Sequence, residues 1–131
     1  MIPVMQTEFA KRGESGEIVK CGNCMAACVA SILEKSIDEI PTLRKLDQGF
    51  CQSGALMEYL NSIGCTLGVL GGPDGFHPLY SDCYYIACGP AKRGFSHAVV
   101  YRYGRLAHDP HPDGTGIDEV TTCYVICGTP K

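Results

Sequence analysis

The segment Asn23-Cys24-Met25-Ala26-Ala27-Cys28-Val29-Ala30 begins the strongest helical pattern in this sequence. Asn23 is a residue type that favours helix N-caps, and apolar residues recur after it with helical spacing. We therefore predict a helix from about residue 24 to residue 35. Cys24 is then its first residue, where free backbone N–H groups and the positive end of the helix dipole lower the pKa of a thiol.

The rest of the chain changes from helical to strand-like patterns. A second helix is predicted from about Ser53 to the stop signal Gly64. Strands follow at residues 65–70, 84–88, 96–103, 105–108 and 122–127. Exposed loops are predicted at residues 10–20 and 71–75, which are rich in glycine and polar residues. Two helices followed by antiparallel strands predict the α+β class, with N-terminal helices packed on a C-terminal sheet.

Length and charge narrow the class of protein. The 131 residues fit a single domain over 1–131, and 45% apolar residues are too many for a disordered chain. A net charge of -3 argues against nucleic acid as a partner. Apolar stretches are too short to cross a membrane, and no secretory signal is visible, so a cytoplasmic protein is expected.

Nine cysteines are the most unusual feature of the composition, and they lie at Cys21, Cys24, Cys28, Cys51, Cys65, Cys83, Cys88, Cys123 and Cys127. Their odd number and the expected reducing compartment favour free thiols over a disulfide framework. Most of them are predicted to be small apolar core residues. Cys28 belongs to this group, because it lies one turn after Cys24 on the apolar stripe of the helix.

A histidine and a carboxylate complete a catalytic pattern. His97 opens an apolar strand, and Asp109 ends the predicted partner strand of the same hairpin. On neighbouring strands, Asp109 would fix the tautomer of His97 while the other ring nitrogen faces the Cys24 thiol. This combination supplies a nucleophile, a base and an orienting group.

These segments resemble a known family. Residues 23–30 resemble the nucleophile helix of the C39-type, papain-like cysteine peptidases, whose pattern is Asp-Cys-Gly-x-Ala-Cys-Leu-Ala. His97-Ala98-Val99-Val100 is similar to the histidine strand of that family, and His108-Asp109-Pro110 to its Asp-Pro element. The whole set also resembles small papain-like proteins of bacteria and their phages. The resemblance implies a papain-like cysteine peptidase fold.

The resemblance also implies roles for individual residues. Cys24 becomes the nucleophile, His97 the general base and acid, and Asp109 the residue that orients His97. Gln6 is the one glutamine before Cys24 and therefore the candidate oxyanion donor, together with the Cys24 backbone N–H. Gln6 lies 18 residues before Cys24, a longer spacing than in the family, so residues 10–20 must bulge out.

The implied function is hydrolysis or acyl transfer at an amide or isopeptide bond through a Cys24 thioester. The substrate would be a protein or peptide, no cofactor is expected, and the oligomeric state is open. Peptidase, deamidase, transglutaminase and isopeptidase activities all fit the same triad.

Two alternatives belong to other classes of protein. A structural zinc site could use Cys21, Cys24 and Cys28 with one of the histidines His97, His108 or His111, although a second Cys-x2-Cys pair is missing. The other alternative is a catalytically inactive papain-like module that binds or inhibits another protein.

Overall fold

A computed structural model describes residues 1–41, 54–70 and 82–130. Within these ranges the chain forms two α-helices, a five-stranded sheet and a separate two-stranded hairpin. In chain order the elements are β1 Lys11–Arg12, β2 Ile18–Lys20, α1 Cys24–Leu33, α2 Gly54–Ser62, β3 Thr66–Leu70, β4 Tyr85–Pro90, β5 Ser96–Arg102, β6 Arg105–His108 and β7 Thr122–Cys127. A single 3-10 turn lies at Ile37–Glu39. The predicted α+β class is confirmed.

The large sheet is antiparallel throughout, with the strand order β3-β7-β4-β5-β6. The last strand in the sequence, β7, therefore lies between β3 and β4. Helix α1 packs against β5 and β4, and α2 packs against β3. The site described below forms where the start of α1 meets the start of β5.

Helix α1 is more buried than its apolar stripe predicts. Residues 24–31 are all buried, including alanines and Ser31 on the side away from the predicted stripe. The N-terminal segment covers that side, because the backbone N–H of Ile2 donates to Ser31 O at 3.0 Å and that of Val4 donates to Ser31 Oγ at 2.9 Å. The helix ends at Leu33, after which Glu34 adopts a left-handed conformation with φ 58°.

The hairpin of β5 and β6 determines where the predicted histidine and carboxylate meet. Its turn consists of Tyr103 and Gly104, with φ values of 54° and 73°. Positive φ at both turn residues is the type I′ geometry that matches the twist of a hairpin. The predicted turn at Gly104 is confirmed, and β6 returns alongside β5 so that Asp109 follows directly after it.

Residues 10–20 differ from the prediction. They contain the strands β1 and β2, which pair with each other as a small exposed hairpin instead of an irregular loop. Ser53 and the loop predicted at 71–75 lie outside the described residues. Within the described part of the chain, no helix is both long and apolar enough to cross a membrane.

The buried position of Cys28 gives a test of this packing. Cys28 is fully buried in the core between α1 and the sheet. We expect Cys28→Ala to lower the free energy of unfolding by about 1 kcal/mol, because it removes buried sulfur contacts and leaves a small void. Urea denaturation followed by circular dichroism measures this change. The exposed Cys127 provides the control, and an equal loss in Cys127→Ala would contradict the packing described here.

Candidate active site

Asn23 precedes α1, but its side chain does not cap the helix. Its Oδ1 accepts hydrogen bonds from the backbone N–H groups of Thr7 and Glu8, both at 2.9 Å, and its Nδ2 donates to Thr7 Oγ1. The predicted N-cap role of the Asn23 side chain is therefore wrong. The side chain fastens the N-terminal segment to the start of the helix. The backbone N–H groups of Cys24 and Met25 are left to hydrogen-bond the Cys24 sulfur.

Residues 2–8 form an extended segment, here named the N-terminal strap, that joins α1 to the end of β6. Its contacts with α1 are made through Ser31 and Asn23. On the other side, His108 Nε2 donates to Val4 O at 2.8 Å, and the backbone N–H of Gln6 donates to Pro110 O at 3.0 Å. The strap therefore places Gln6 between the Cys24 helix and the Asp109 segment.

The Gln6 side chain is buried within this site, with only 7% of the residue exposed. Its Nε2 donates to Glu8 O at 2.9 Å, which fixes the orientation of the amide and leaves the second Nε2 proton unused by that bond. Its Oε1 is buried and has no hydrogen-bond partner among the described residues. Buried amide oxygens are normally paired, so Gln6 Oε1 is an exception within this site.

Gly22 permits the close approach of the strap. A Cβ atom at this position would lie 2.9 Å from Glu8 O and 3.2 Å from Gln6 Nε2. Any larger residue would therefore push away the backbone that orients the Gln6 amide. The sequence Gly22-Asn23-Cys24 thus combines a close-approach glycine, a strap anchor and a thiol.

His97 and Asp109 form a buried pair, as predicted. His97 Nε2 lies 2.7 Å from Asp109 Oδ1, and their side chains are only 4% and 3% exposed. The backbone N–H of His111 also donates to Oδ1, at 2.9 Å, and that of Gly116 donates to Oδ2 at 2.7 Å. Three donors on one buried carboxylate hold it in a single orientation against the imidazole.

The charges of this pair follow from burial and hydrogen bonding. Burial alone would raise the pKa of Asp109, but the bonds from His97, His111 and Gly116 outweigh it and hold that pKa below its usual value. Burial lowers the pKa of His97, and the Asp109 bond offsets this only partly. At neutral pH the pair is a carboxylate and a neutral imidazole. The proton of that imidazole is on Nε2, because a carboxylate can only accept, and Nδ1 is free to act as a base.

Cys24 differs from its prediction in one respect. Burial raises its pKa to about 11 and outweighs the hydrogen bonds from the backbone N–H groups of Ala98, Met25 and Cys24 itself. The predicted lowering of the Cys24 pKa is therefore wrong. The donors at the helix start are present, but the residue Cys24 is only 5% exposed, and this burial disfavours the thiolate. The Ala98 bond places this sulfur beside the strand residue that directly follows His97.

Cys24, His97 and Gln6 line one cavity of about 170 Å³. Its other walls include the apolar side chains of Phe9, Ile18 and Phe95. Asp109 is not a lining residue, but it is hydrogen-bonded to His97, which is one. The structure thus brings together all four residues that the sequence singled out, although they are spread over more than 100 positions.

Two residues at the cavity were not predicted as part of this site. His111 was considered only as a zinc ligand, but its ring lies edge-on to that of His97 with centroids 6.1 Å apart. The motif Asp109-Pro110-His111-Pro112 was a signal for it, since the Pro110 turn brings residue 111 back to the pair. Arg93 lines the cavity and its charge lowers the pKa of both Cys24 and His97. No sequence pattern indicated Arg93.

The zinc alternative gains no support from this geometry. Within residues 1–41, 54–70 and 82–130, no three His, Cys, Asp or Glu side chains are grouped so that they could hold a metal ion. Cys28 points into the core, and the His108 ring is occupied by the strap.

Comparisons with protein-family models, with curated proteins and with solved structures gave no match to this chain.

The strap anchor gives the first test of the site. Asn23→Ala removes the Oδ1 acceptor of two hydrogen bonds and the Nδ2 donor of a third. We expect the free energy of unfolding to fall by about 1–3 kcal/mol as the Thr7 and Glu8 N–H groups lose their partner. Asn23→Asp keeps the accepting oxygen and should recover most of that loss. Urea denaturation of both variants checks this. Asn61→Ala, at an exposed position of α2, is the control, and equal losses in Asn23→Ala and Asn23→Asp would contradict the anchor role.

The buried histidine gives a pH test. The folded-state pKa of His97 is lowered, so the unfolded chain binds a proton first as the pH falls below about 6.5. The free energy of unfolding should therefore decrease from pH 6.5 downward, and the lowered pKa of Asp109 extends this decrease to more acidic pH. His97→Asn should flatten the first part of the curve. Urea denaturation at a series of pH values measures the slopes, and identical slopes for both proteins would contradict this account.

Proposed function

We propose that this protein is a cysteine-dependent hydrolase or acyl transferase that acts on amide or isopeptide bonds through a Cys24 thioester. The observation that carries the proposal is the 2.7 Å bond between His97 Nε2 and Asp109 Oδ1 at the cavity that Cys24 also lines. A nucleophile, a base and a group that orients the base are thereby assembled in one place. The order Cys, His, Asp and a helix packed on an antiparallel sheet also support a papain-like assignment.

The resting charges favour a particular first step. Because both the thiol and the imidazole are neutral, His97 Nδ1 would accept the Cys24 proton as the sulfur attacks the substrate carbonyl carbon. The S–C bond forms, and the carbonyl electron pair moves to oxygen. The resulting imidazolium is stabilised by the adjacent Asp109 carboxylate, which is the role of the third member of such a triad.

The second half of the reaction returns the protein to its resting state. The His97 imidazolium donates its proton to the leaving amine as the C–N bond breaks, which leaves a thioester on Cys24. Water or an acceptor amine then attacks the thioester carbonyl while His97 again accepts a proton. The thiol is regenerated, and the product is an acid or a new amide.

Two donors support stabilisation of the oxyanion. The backbone N–H of Cys24 lies at the uncapped start of α1, where the positive end of the helix dipole favours negative charge. The second Nε2 proton of Gln6 is the other donor, since the first is held by Glu8 O. Asn23 and Gly22 contribute indirectly, because they position the strap on which Gln6 lies.

A non-catalytic binding module is the second candidate, and the raised pKa of Cys24 favours it. A thiol with a pKa of about 11 is almost entirely protonated at neutral pH and is inert unless a base removes its proton during attack. The two candidates therefore differ in whether His97 accelerates reactions at Cys24.

Acylation by p-nitrophenyl acetate tests the proposal. We expect the acetyl group on Cys24, located by peptide mass spectrometry after an acid quench, and we expect His97→Ala to slow its formation by about a hundredfold or more. Asp109→Asn should slow it too, because the imidazole can then take the wrong tautomer. Gln6→Ala should lower the rate by about a hundredfold if its amide binds the oxyanion.

Cys127→Ala serves as the matched control, since this thiol is exposed and remote from the cavity residues. Its acylation rate at Cys24 should equal that of the unchanged protein. Equal Cys24 acylation rates in the unchanged protein and in His97→Ala would remove the catalytic proposal and favour the binding module.

A further inference from the structure

The β1–β2 hairpin covers the catalytic cavity from one side. It lies in the chain between the strap and α1. Its residue Ile18 and the preceding residue Ala10 line the cavity. Phe9 comes directly before Ala10 and lines the same wall. The sequence inserted between Gln6 and Cys24 is therefore part of the site and is not a remote surface loop.

One side chain connects this hairpin to the opposite wall. The guanidinium of Arg12 donates to Gly94 O and lies over the ring of Phe95, 4.7 Å from its centroid. Its other nitrogen donates to Gly16 O within the hairpin itself, at 2.9 Å. Gly94 and Phe95 belong to the turn between β4 and β5, and Phe95 lines the cavity. Arg12 thus ties the two walls together across the cavity.

The cavity is partly open to solvent, and its volume is small for a polypeptide substrate. Pockets that hold drug-sized ligands have volumes of about 300–1,000 Å³, whereas an apolar cavity of about 150 Å³ holds a molecule of the size of benzene. The cavity of about 170 Å³ therefore matches one side chain or a short acyl group. The walls formed by Phe9, Ile18 and Phe95 favour an apolar group.

We propose that the β1–β2 hairpin, tied down by Arg12, is the selectivity element of the site and admits substrates whose acyl side is a single apolar side chain or a short apolar acyl group. This inference rests on the proposed function, because it describes the substrate of the Cys24 reaction. A longer chain that stays against these walls would have to displace the hairpin and break the Arg12 contacts with Gly94 and Phe95.

Alkylation of Cys24 by reagents of two sizes tests the inference. Iodoacetamide and an iodoacetamide whose nitrogen carries a Leu-Leu-Leu peptide react by the same displacement of iodide, in which the S–C bond forms as the C–I bond breaks. The fraction of thiolate cancels in the ratio of their rates. Peptide mass spectrometry follows modification at Cys24, with the exposed Cys83 as an internal reference for intrinsic reactivity.

In the unchanged protein, we expect the rate ratio of small to bulky reagent at Cys24 to exceed the same ratio at Cys83 by about tenfold or more. We expect Arg12→Ala to reduce the ratio at Cys24 by about tenfold, because the two walls lose one cation–π contact and one hydrogen bond between them. Ile18→Ala should also reduce the ratio by widening the cavity. Lys11→Ala, a change at the neighbouring exposed residue of β1, should leave it unchanged.

The outcomes separate this inference from the proposed function. An unchanged ratio in both Arg12→Ala and Ile18→Ala, or a ratio at Cys24 equal to that at Cys83, would overturn the role of the hairpin while the acylation result stands. Absence of His97-dependent acylation would remove the proposed function, and this is measured without the bulky reagent.

Discussion

The hydrogen bonds of the N-terminal strap are the constraint on which the site depends. The strap is bound to α1 through Ser31 and Asn23, and to the end of β6 through His108 and Pro110. These two attachments are made by parts of the chain that are separated by most of the sequence. Besides the strap, the helix that carries the thiol and the hairpin that carries the imidazole are joined by the Ala98 bond to the Cys24 sulfur and by the packing of α1 on the sheet. The same segment holds Gln6 in place, so the strap positions Gln6 and connects the elements that carry Cys24 and His97.

Asp109 and Cys24 are both buried, but Asp109 is charged at neutral pH and Cys24 is neutral. A carboxylate is costly to bury, and Asp109 is stabilised by three donors that together outweigh this cost. Cys24 has backbone donors too, but they do not compensate for the burial of its sulfur. At neutral pH, Asp109 is therefore negatively charged, whereas the His97 imidazole and the Cys24 thiol are neutral. Such a resting site avoids a buried thiolate. In the proposed reaction the proton would move during the attack itself, and the Asp109 charge would stabilise the imidazolium that forms.

Local sequence patterns predicted the two helices and the five strands of the large sheet but not the β1–β2 hairpin, and the reasons are specific. The β5–β6 turn was predictable because Gly104 tolerates positive φ, and the α1 pattern was predictable because its apolar residues are spaced for a helix. The role of the Asn23 side chain was not predictable from the sequence. A side chain that can accept a hydrogen bond from the first turn of its own helix can equally accept one from a distant backbone segment that the tertiary structure brings next to it. The sign of the Cys24 pKa shift was missed for a related reason. The donors of Cys24 and Met25 follow from position in the helix, whereas the Ala98 donor and the burial of the sulfur depend on tertiary packing.

The long spacing between Gln6 and Cys24 can be understood in the same physical terms. Loop closure becomes costlier only slowly with length, by about 0.6 kcal/mol for each doubling, so the insertion of a hairpin at this point is inexpensive. The bonds that Asn23 makes to Thr7 and Glu8 lie immediately at the base of the insertion and close the loop on both sides. Gln6 is therefore held at the site whatever lies between the two ends of the loop. The inserted residues are then free to serve another purpose, and here they form a wall of the cavity through Ile18 and a contact across it through Arg12.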